Sequence, residues 1–465
     1  MRPAQSYALN RHDNKMTAPR RKIGKRKEET MSSIEQRTIA KVWRRFIPFL
    51  IVCYFVSYLD KVNVGFAALS MNHALGMTPA EFGFGAGIFF VSYSVCEVPS
   101  NLALARFGAR RWLARIMLTW GLVSAATAFV HGPSSFYLLR TILGAAEAGF
   151  FPGIIFFLTL WFPAQYRARV IGWFMIAIPL SSFVGAPLSG LLLRIDAYGL
   201  ASWQWLFILE ALPAIALGFA LLRWLTDRPA DANWLDAQER AWLVESLARE
   251  ARERAARNPA SVHASVWRIF VEPKVWQLSI VYFGMTGLHQ AMSFWMPQIV
   301  KSFGLSNTQT GFVTAIPYLF GALGMVVWGR RSDRHAERKW HTAFALGIAT
   351  LGFVGAAAVA MPGPRLFFLS VAAVGVFGSL PVFWAMPSTF LADRTAAGAI
   401  ALINCLGSLS GFVAPWLIGV IREATGSFVG GLLAIAGLGF AALVVLLALP
   451  IGRKQDAPVA VPAAE

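Results

Sequence analysis

Residues 58–63 read Tyr58-Leu59-Asp60-Lys61-Val62-Asn63, and they lie in the middle of an apolar run that extends from Phe46 to about Ser70. A run of this length can cross a bilayer as a helix. A charged side chain at the centre of such a helix costs roughly 2.5–3.5 kcal/mol. The adjacent Asp60 and Lys61 therefore need partners, water or a function, and we expect other ionisable residues inside the membrane close to them.

The composition is that of a membrane protein. Of the 465 residues, 56% are apolar and only 14% are charged, against roughly 25% charged in soluble proteins. Long apolar stretches recur along the whole chain, which is typical of polytopic helical membrane proteins. We expect no cleaved signal peptide, and we expect translation to start at Met31 rather than at Met1 or Met16, because the residues before Met31 show no structural pattern.

The sequence predicts an all-α membrane protein with twelve transmembrane helices in two pseudo-symmetric six-helix bundles. The predicted spans are residues 46–70, 82–105, 112–131, 134–161, 168–193, 203–225, 275–300, 308–329, 341–361, 365–391, 396–421 and 427–450. The predicted domains are a basic, disordered segment (1–45), an N-terminal bundle (46–225), a loop with an amphipathic helix (226–274), a C-terminal bundle (275–450) and a tail (451–465).

The charge distribution predicts the orientation. The net charge is +18, and 13 of the 42 Lys and Arg residues lie in residues 1–45. Most of the others lie in alternate loops, so the positive-inside rule places both termini and the central loop in the cytoplasm, with the protein in the inner membrane. No folded soluble module carries this charge, which excludes a nucleic-acid partner and leaves the lipid bilayer as the surroundings.

The two halves of the chain repeat with a constant offset. Residues 106–112 follow the second span and residues 334–340 follow the eighth, an offset of 228 (340 minus 112), and Pro152 and Pro381 differ by 229. Agreement between separate landmarks indicates a duplicated six-helix unit. Duplicated bundles are typical of transporters that bind their cargo between the halves, near the middle of the membrane.

The fourth span contains Arg140 and Glu147, and a spacing of seven places both on one helix face, about 10 Å apart. With Asp60 and Lys61 they form two acids and two bases at similar depth. We expect Lys61 and Arg140 to hold the carboxylate of a small organic anion, while Asp60 and Glu147 exchange protons. The alternative is a pair of buried salt bridges that only pack the bundle.

The second half is polar but mostly uncharged at the matching place. The offset of 228 maps Asp60 and Lys61 onto Leu288 and His289, with Gln290 next in the chain. His289 can titrate near neutral pH or serve as a hydrogen-bonded structural residue. His289 and Gln290 are both candidates to contact the anion.

Four further residues have two interpretations each. Trp384 is a candidate to contact the anion or an ordinary packing aromatic. Asn404 is a second candidate, or makes a hydrogen bond between helices. Glu97 and Glu210 could relay protons, but both lie near span ends or bend-prone sequence, and we assign them structural roles.

A separate motif lies in the loop after the eighth span, Gly329-Arg330-Arg331-Ser332-Asp333-Arg334. Asp333 can pair with an arginine or a helix N-terminus in one gating state only, so Asp333 and Arg334 are gating candidates. The first-half copy contributes Arg110 and Arg111 but has Ala105 in place of the acid, so its contact must be weaker or built differently.

The chain resembles the major facilitator superfamily and, within it, the anion:cation symporter family, which includes permeases for tartrate, phthalate, hydroxyphenylacetate and sugar acids. The resemblance covers about residues 35–450, and its motifs are Tyr58–Gly65, Glu97–Asn101, Phe107–Trp112, Gly144–Gly153 and Ser293–Gln298.

This resemblance implies proton-driven import of an organic anion by alternating access. It implies protonation at the first-span and fourth-span acids, and a substrate site lined by the bases of those spans, by Tyr58 and Tyr93, and by the asparagine of the eleventh span. The family's usual base after the first-span acid is arginine, whereas this chain has Lys61. Lysine keeps the charge but loses the two-donor fork.

Rival interpretations remain open. One is anion exchange, such as organic phosphate for phosphate, and another is a membrane receptor that binds the anion without moving it. The sequence contains no HExxH, GxSxG or P-loop motif, so we expect neither an enzyme nor a cofactor or metal. The three cysteines fall inside predicted spans as packing residues, and we expect a monomer.

Overall fold

The computed structural model describes the backbone of residues 18–257, 271–335, 337–384, 386 and 396–449, with side chains from Ser33 onward except at a few positions, Asp333 among them. The earlier possible start sites Met1 and Met16, the loop around Arg394 and the predicted tail lie outside the described residues.

The described residues form α-helices with short connections. Those helices are α1 (Ala18–Ala74), α2 (Pro79–Phe107), α3 (Ala109–Ala126), α4 (Pro133–Glu147), α5 (Phe150–Trp161), α6 (Ala164–Met175), α7 (Ala177–Leu192), α8 (Ser202–Trp224), α9 (Ala237–Arg257), α10 (Pro273–Lys301), α11 (Asn307–His335), α12 (Lys339–Ala358), α13 (Pro362–Trp384), α14 (Ala396–Thr425) and α15 (Val429–Ala448). Two short 3₁₀ turns, Thr127–Phe129 and Pro229–Asp231, complete the described helical segments.

Ten membrane-crossing units are long and apolar enough to span a bilayer, counting α4–α5 and α6–α7 as one unit each. Helices α1 and α10 are also long enough, with 57 and 29 residues, but they carry the polar stretches around Asp60 and His289. Within the described part of the chain the total is therefore twelve, six on each side of α9. This confirms the predicted fold class.

The first helix begins far earlier than predicted. Helix α1 starts at Ala18, so residues 18–45 are not the disordered segment that their composition suggested. Glu35 accepts hydrogen bonds from Gln165 Nε2 (2.6 Å) and from the Tyr166 hydroxyl (2.9 Å). Lys41 Nζ lies 2.6 Å from Glu239 Oε1. These contacts attach the polar end of α1 to the bundle, and no local pattern reveals partners more than 100 residues away.

Helix α9 matches the predicted amphipathic helix, and Asp236 caps its N-terminus. Asp236 Oδ1 accepts the backbone N–H of Glu239 (2.8 Å), while Glu239 Oε2 accepts that of Asp236 (3.1 Å), a reciprocal capping box. The hydrogen bond from the Glu239 backbone lowers the pKa of Asp236. Within this helix, Leu243 is fully buried.

Helix α9 contacts side-chain and backbone groups of α6. Arg167 Nη1 of α6 lies 2.7 Å from Glu250 Oε1, and the backbone N–H of Ala164 donates to Glu250 Oε2 (3.0 Å). The central loop is thus attached to the first half of the protein.

The fourth span is broken where the sequence predicts a continuous helix. Gly149, between α4 and α5, adopts a left-handed conformation with φ 85° and ψ 0°, which favours glycine. A Cβ at Gly149 would lie 2.5 Å from Ser100 Oγ, so the break also brings α2 close. It positions Glu147 at the last residue of α4.

The two halves meet closely on one side of the molecule. A Cβ at Gly83 would lie 2.5 Å from the carbonyl oxygen of Pro415, and one at Gly190 would lie 2.9 Å from the Cα of Gly311. These contacts join α2 to α14 and α7 to α11. Glycine at such positions lets backbones approach closely, and it leaves a central cavity toward the opposite side.

Candidate functional site

Lys61 and Glu147 form a buried ion pair next to that cavity. Lys61 Nζ lies 3.1 Å from Glu147 Oε1, and the two side chains are 13% and 2% exposed. The Ser57 hydroxyl also donates to Glu147 Oε1 (2.9 Å). Three aromatic rings surround the ammonium group at centroid distances of 5.2–5.7 Å, those of Tyr58, Phe89 and Tyr93, which is the range of cation–π contacts.

Arg140 lies behind this pair. Its side chain is buried, with Nη2 donating to the carbonyl oxygen of Ala86 (3.1 Å). The guanidinium carbon lies 4.8 Å from the centroid of Phe89, the ring that Lys61 also contacts. Among the described residues no carboxylate lies within 4.0 Å of it, but it interacts electrostatically with Asp60 and Glu147. The four predicted charges therefore lie near one another, and the direct ion pair that the described residues show among them is Lys61–Glu147.

Asp60 faces away from Lys61, into the first bundle. It is 1% exposed and accepts hydrogen bonds from Trp120 Nε1 (2.8 Å), Asn63 Nδ2 (3.2 Å) and the Ser124 hydroxyl. No cation lies within 4.0 Å of its carboxylate in the described part of the chain. Glu210 is similarly buried and accepts from the Ser189 hydroxyl at 2.7 Å.

The central cavity has a volume of about 130 Å³, several times the roughly 10–15 Å³ that a cavity needs to hold one water molecule. It therefore has room for a small anion. Seven of the predicted site residues line it: Tyr58, Lys61, Tyr93, His289, Gln290, Trp384 and Asn404. Asp60, Arg140 and Glu147 do not belong to this lining and lie behind its wall.

Glu97 also lines the cavity, where we had assigned it a structural role. Its Oε1 and Oε2 lie 3.1 and 3.4 Å from Asn404 Nδ2, across 307 residues of sequence. This bond joins α2 of the first half to α14 of the second. Asn404 thus makes the predicted interhelical hydrogen bond and lines the cavity as well.

The second half contributes His289 and an aromatic wall. His289 is 4% exposed, and its ring lies 5.9 Å from that of Tyr58 and 5.2 Å from that of Phe377. Nε2 is buried and has no hydrogen-bond partner among the described residues. Trp384 packs against Tyr282 with ring centroids 4.9 Å apart, so it is both a packing aromatic and a lining residue.

The gating candidates lie at the opposite end from the glycine contacts. Asp333 has no described side chain, and Arg111 and Arg334 are exposed. In the first-half copy, the backbone N–H of Arg110 donates to Asp227 Oδ1 (2.8 Å), so an acid from the segment after α8 occupies the N-terminus of α3. The first half has Ala105 at the position that corresponds to Asp333 in the second half, and Asp227 provides a carboxylate at this end of the first half.

The fold and the cavity define a class, and comparisons with known proteins agree with it. The family model described as Major Facilitator Superfamily matches residues 50–415 and 296–463. The chain belongs to the major facilitator superfamily. It is a multi-pass membrane transporter of small molecules and not an enzyme.

Individual relatives support this membership. A protein of Agrobacterium vitis named "Putative tartrate transporter" is 47% identical over 419 residues, covering 90% of this chain and 96% of the relative. A "Quinolone resistance transporter" of Acinetobacter baumannii is 39% identical, covering 89% and 94%. The partially occluded inward-open structure of the xylose transporter XylE from Escherichia coli superposes with a TM-score of 0.71 at 14% identity, covering 89% of this chain and all of that one. At that identity it supports the fold alone.

Proposed function

We propose that the protein imports a small carboxylate together with protons, by alternating access around the central cavity. The observation that carries this proposal is the buried Lys61–Glu147 pair, whose ammonium group borders the cavity. The tartrate name of the 47% identical relative supports a hydroxylated dicarboxylate as the first anion to test.

The pair couples the anion to a proton through a simple exchange of partners. A carboxylate that enters the cavity binds Lys61 and competes with Glu147 for the ammonium group. Glu147 is 2% exposed, and a buried charge that loses its partner costs about 3–5 kcal/mol. Taking up a proton removes that cost. Glu147 Oε2 is buried without a hydrogen-bond partner among the described residues, which leaves an oxygen free for the proton.

Asp60 and Arg140 enter at a later stage of the cycle. Both lie behind the cavity wall in this conformation. Arg140 shares the Phe89 ring with Lys61, so a shift of that ring lets a second cation reach the carboxylate. We propose Asp60 as the second proton site, because it is buried in the membrane region and no cation of the described chain lies within 4.0 Å of its carboxylate. His289 and Trp384, with Gln290, shape the other side of the bound anion.

The arrangement in the membrane follows from the charged loops. We propose an inner-membrane monomer with cytoplasmic termini, an N-terminal bundle of residues 46–225 and a C-terminal bundle of residues 275–450. The end of the molecule where α9 binds Arg167 is then cytoplasmic, and the glycine contacts close the outer side. Asp333 and Arg334, with Arg110 and Arg111, act at the cytoplasmic gate.

Uptake into proteoliposomes tests the proposal. Radiolabelled L-tartrate is supplied outside vesicles that hold the purified protein, with the outside at lower pH. We expect the gradient to accelerate uptake, and Glu147→Gln to abolish that acceleration. The matched control is Glu81→Gln, because Glu81 belongs to the capping box of α2 and glutamine also satisfies such a box.

Other outcomes assign other functions. Uptake that ignores the pH gradient and requires an anion inside the vesicle indicates exchange. Binding of tartrate without transport indicates a receptor. Either result contradicts proton-coupled import.

A further inference from the structure

The cavity contains a carboxylate of its own, although the proposed cargo is an anion. Lys61 and Glu97 are the charged side chains among the described lining residues. An acid in an anion site opposes the charge of the cargo, so its presence requires an explanation. Glu97 is partly exposed and faces the cavity from the same helix as Tyr93.

The position of Glu97 fits the second end of a short ligand. Tyr93 contacts the Lys61 ammonium at 5.2 Å, and Glu97 lies four residues further along α2. Four residues of an α-helix rise roughly 6 Å along the axis. A ligand whose carboxylate binds Lys61 therefore extends a short carbon chain past Tyr93 to reach Glu97.

The carboxylate of Glu97 has unused capacity to accept hydrogen bonds. An ionised carboxylate has about four acceptor positions. In the described part of the chain one side-chain group, Nδ2 of Asn404, donates to it. The neighbouring Thr286 hydroxyl is occupied by the carbonyl oxygens of Tyr282 (2.7 Å) and Gly407 (2.8 Å). Glu97 thus has acceptor positions facing the cavity that hydroxyl groups of a ligand can fill.

We propose that Glu97 is a specificity-determining residue that accepts hydrogen bonds from hydroxyl groups of the cargo, so that the transporter selects hydroxylated carboxylates over carboxylates of equal charge without hydroxyls. Asn404 holds Glu97 in place from the other half. This inference rests on the proposed function, because it assumes that the cargo carboxylate lies at Lys61. A ligand without hydroxyls leaves the Glu97 charge facing carbon, and sites built to bind a substrate hydroxyl discriminate strongly against analogues that lack it.

The test uses L-tartrate and succinate, which differ only by two hydroxyl groups. Dissociation constants are measured for the purified full-length protein by calorimetry at one pH. We expect the wild-type protein to bind tartrate at least tenfold more tightly than succinate, and Glu97→Gln to reduce that ratio to about threefold or less. Glu81→Gln, on the same helix and outside the cavity lining, should keep the wild-type ratio.

The ratio of the dissociation constants for succinate and tartrate in the wild-type protein tests the inference by itself. The test therefore does not depend on how well a variant folds. Equal affinity for the two acids, or preference for succinate, contradicts the role of Glu97. A ratio that survives Glu97→Gln in a folded variant also contradicts it, while pH-driven uptake in proteoliposomes would leave the proposed function intact. Conversely, tartrate selectivity without proton-coupled uptake would contradict the proposed function and leave the role of Glu97 standing.

Discussion

Lys61 and Glu147 depend on one another at the residue scale. Both residues could be predicted as site residues from the sequence, because ionisable groups inside membrane spans are few and the seven-residue spacing to Arg140 marks one helix face. The ion pair between them could not be predicted. Lys61 binds Glu147 at 3.1 Å, while Arg140 is held by Ala86 and Phe89 of α2. Such contacts depend on how α2 packs against α4, which helical periodicity does not specify.

Removing one partner tests this dependence. We expect Lys61→Met to lower the free energy of unfolding by about 3–5 kcal/mol, because Glu147 is then a buried charge without a partner. Thermal unfolding in detergent measures the change.

The double variant Lys61→Met with Glu147→Gln provides the control. It removes both charges and should recover most of the lost stability, a non-additivity typical of residues in contact, without recovering anion binding. If the Lys61→Met variant is as stable as the wild type at neutral pH, the ion pair does not contribute to the free energy of unfolding, which contradicts this account.

At the scale of elements, the sequence located the spans but missed two features of them. Helix α1 begins at Ala18, and its segment around Glu35 and Lys41 binds side chains from α6 and α9. The fourth span breaks at Gly149, where a left-handed backbone and the close approach of Ser100 of α2 both favour glycine. Both features involve long-range contacts. Glu97 as the partner of Asn404 in the interhelical hydrogen bond was missed for the same reason.

Gly149 offers a test of the break. In Gly149→Ala we expect two penalties: about 1–2 kcal/mol for a left-handed non-glycine residue, and a further 1–3 kcal/mol for crowding. Ser100 cannot turn away freely, because its hydroxyl accepts a hydrogen bond from Trp112 Nε1 (3.0 Å). Anion affinity should fall too, since Glu147 lies two residues earlier.

Gly199→Ala is the matched control. Gly199 has a similar φ of 73°, and a Cβ there meets nothing within 4 Å. It should show the backbone penalty alone and wild-type anion affinity. Equal losses of stability in the two variants, measured by denaturant unfolding, would contradict the packing role of Gly149.

At the scale of the whole molecule, the sequence predicted the twelve helices, the duplication and the place of the cavity, because hydropathy and the 228-residue offset repeat along the chain. It did not predict which side is closed. That depends on approaches between backbones, such as Gly190 of α7 against Gly311 of α11, which periodicity does not reveal.

Crowding this contact should disturb the transport cycle. In Gly190→Ala the new Cβ meets backbone atoms at 2.9–3.2 Å, which destabilises this closed contact by about 1–3 kcal/mol. We expect the initial rate of tartrate uptake to fall several-fold or more. Gly437→Ala is the control, because Gly437 is also helical and has nothing within 4 Å of its Cβ position. Unchanged uptake in Gly190→Ala would mean that this contact does not form during transport.

The central claim is that an anion replaces Glu147 as the ion-pair partner of Lys61, and that Glu147 binds a proton as a result. The direct measurement is the proton uptake that accompanies L-tartrate binding to the purified protein in weakly buffered solution, followed with a pH-indicator dye. The account predicts that binding removes protons from solution, and that Glu147→Gln binds tartrate with less proton uptake than the wild type. Tartrate binding with no proton uptake, or with the same uptake in Glu147→Gln, would contradict it.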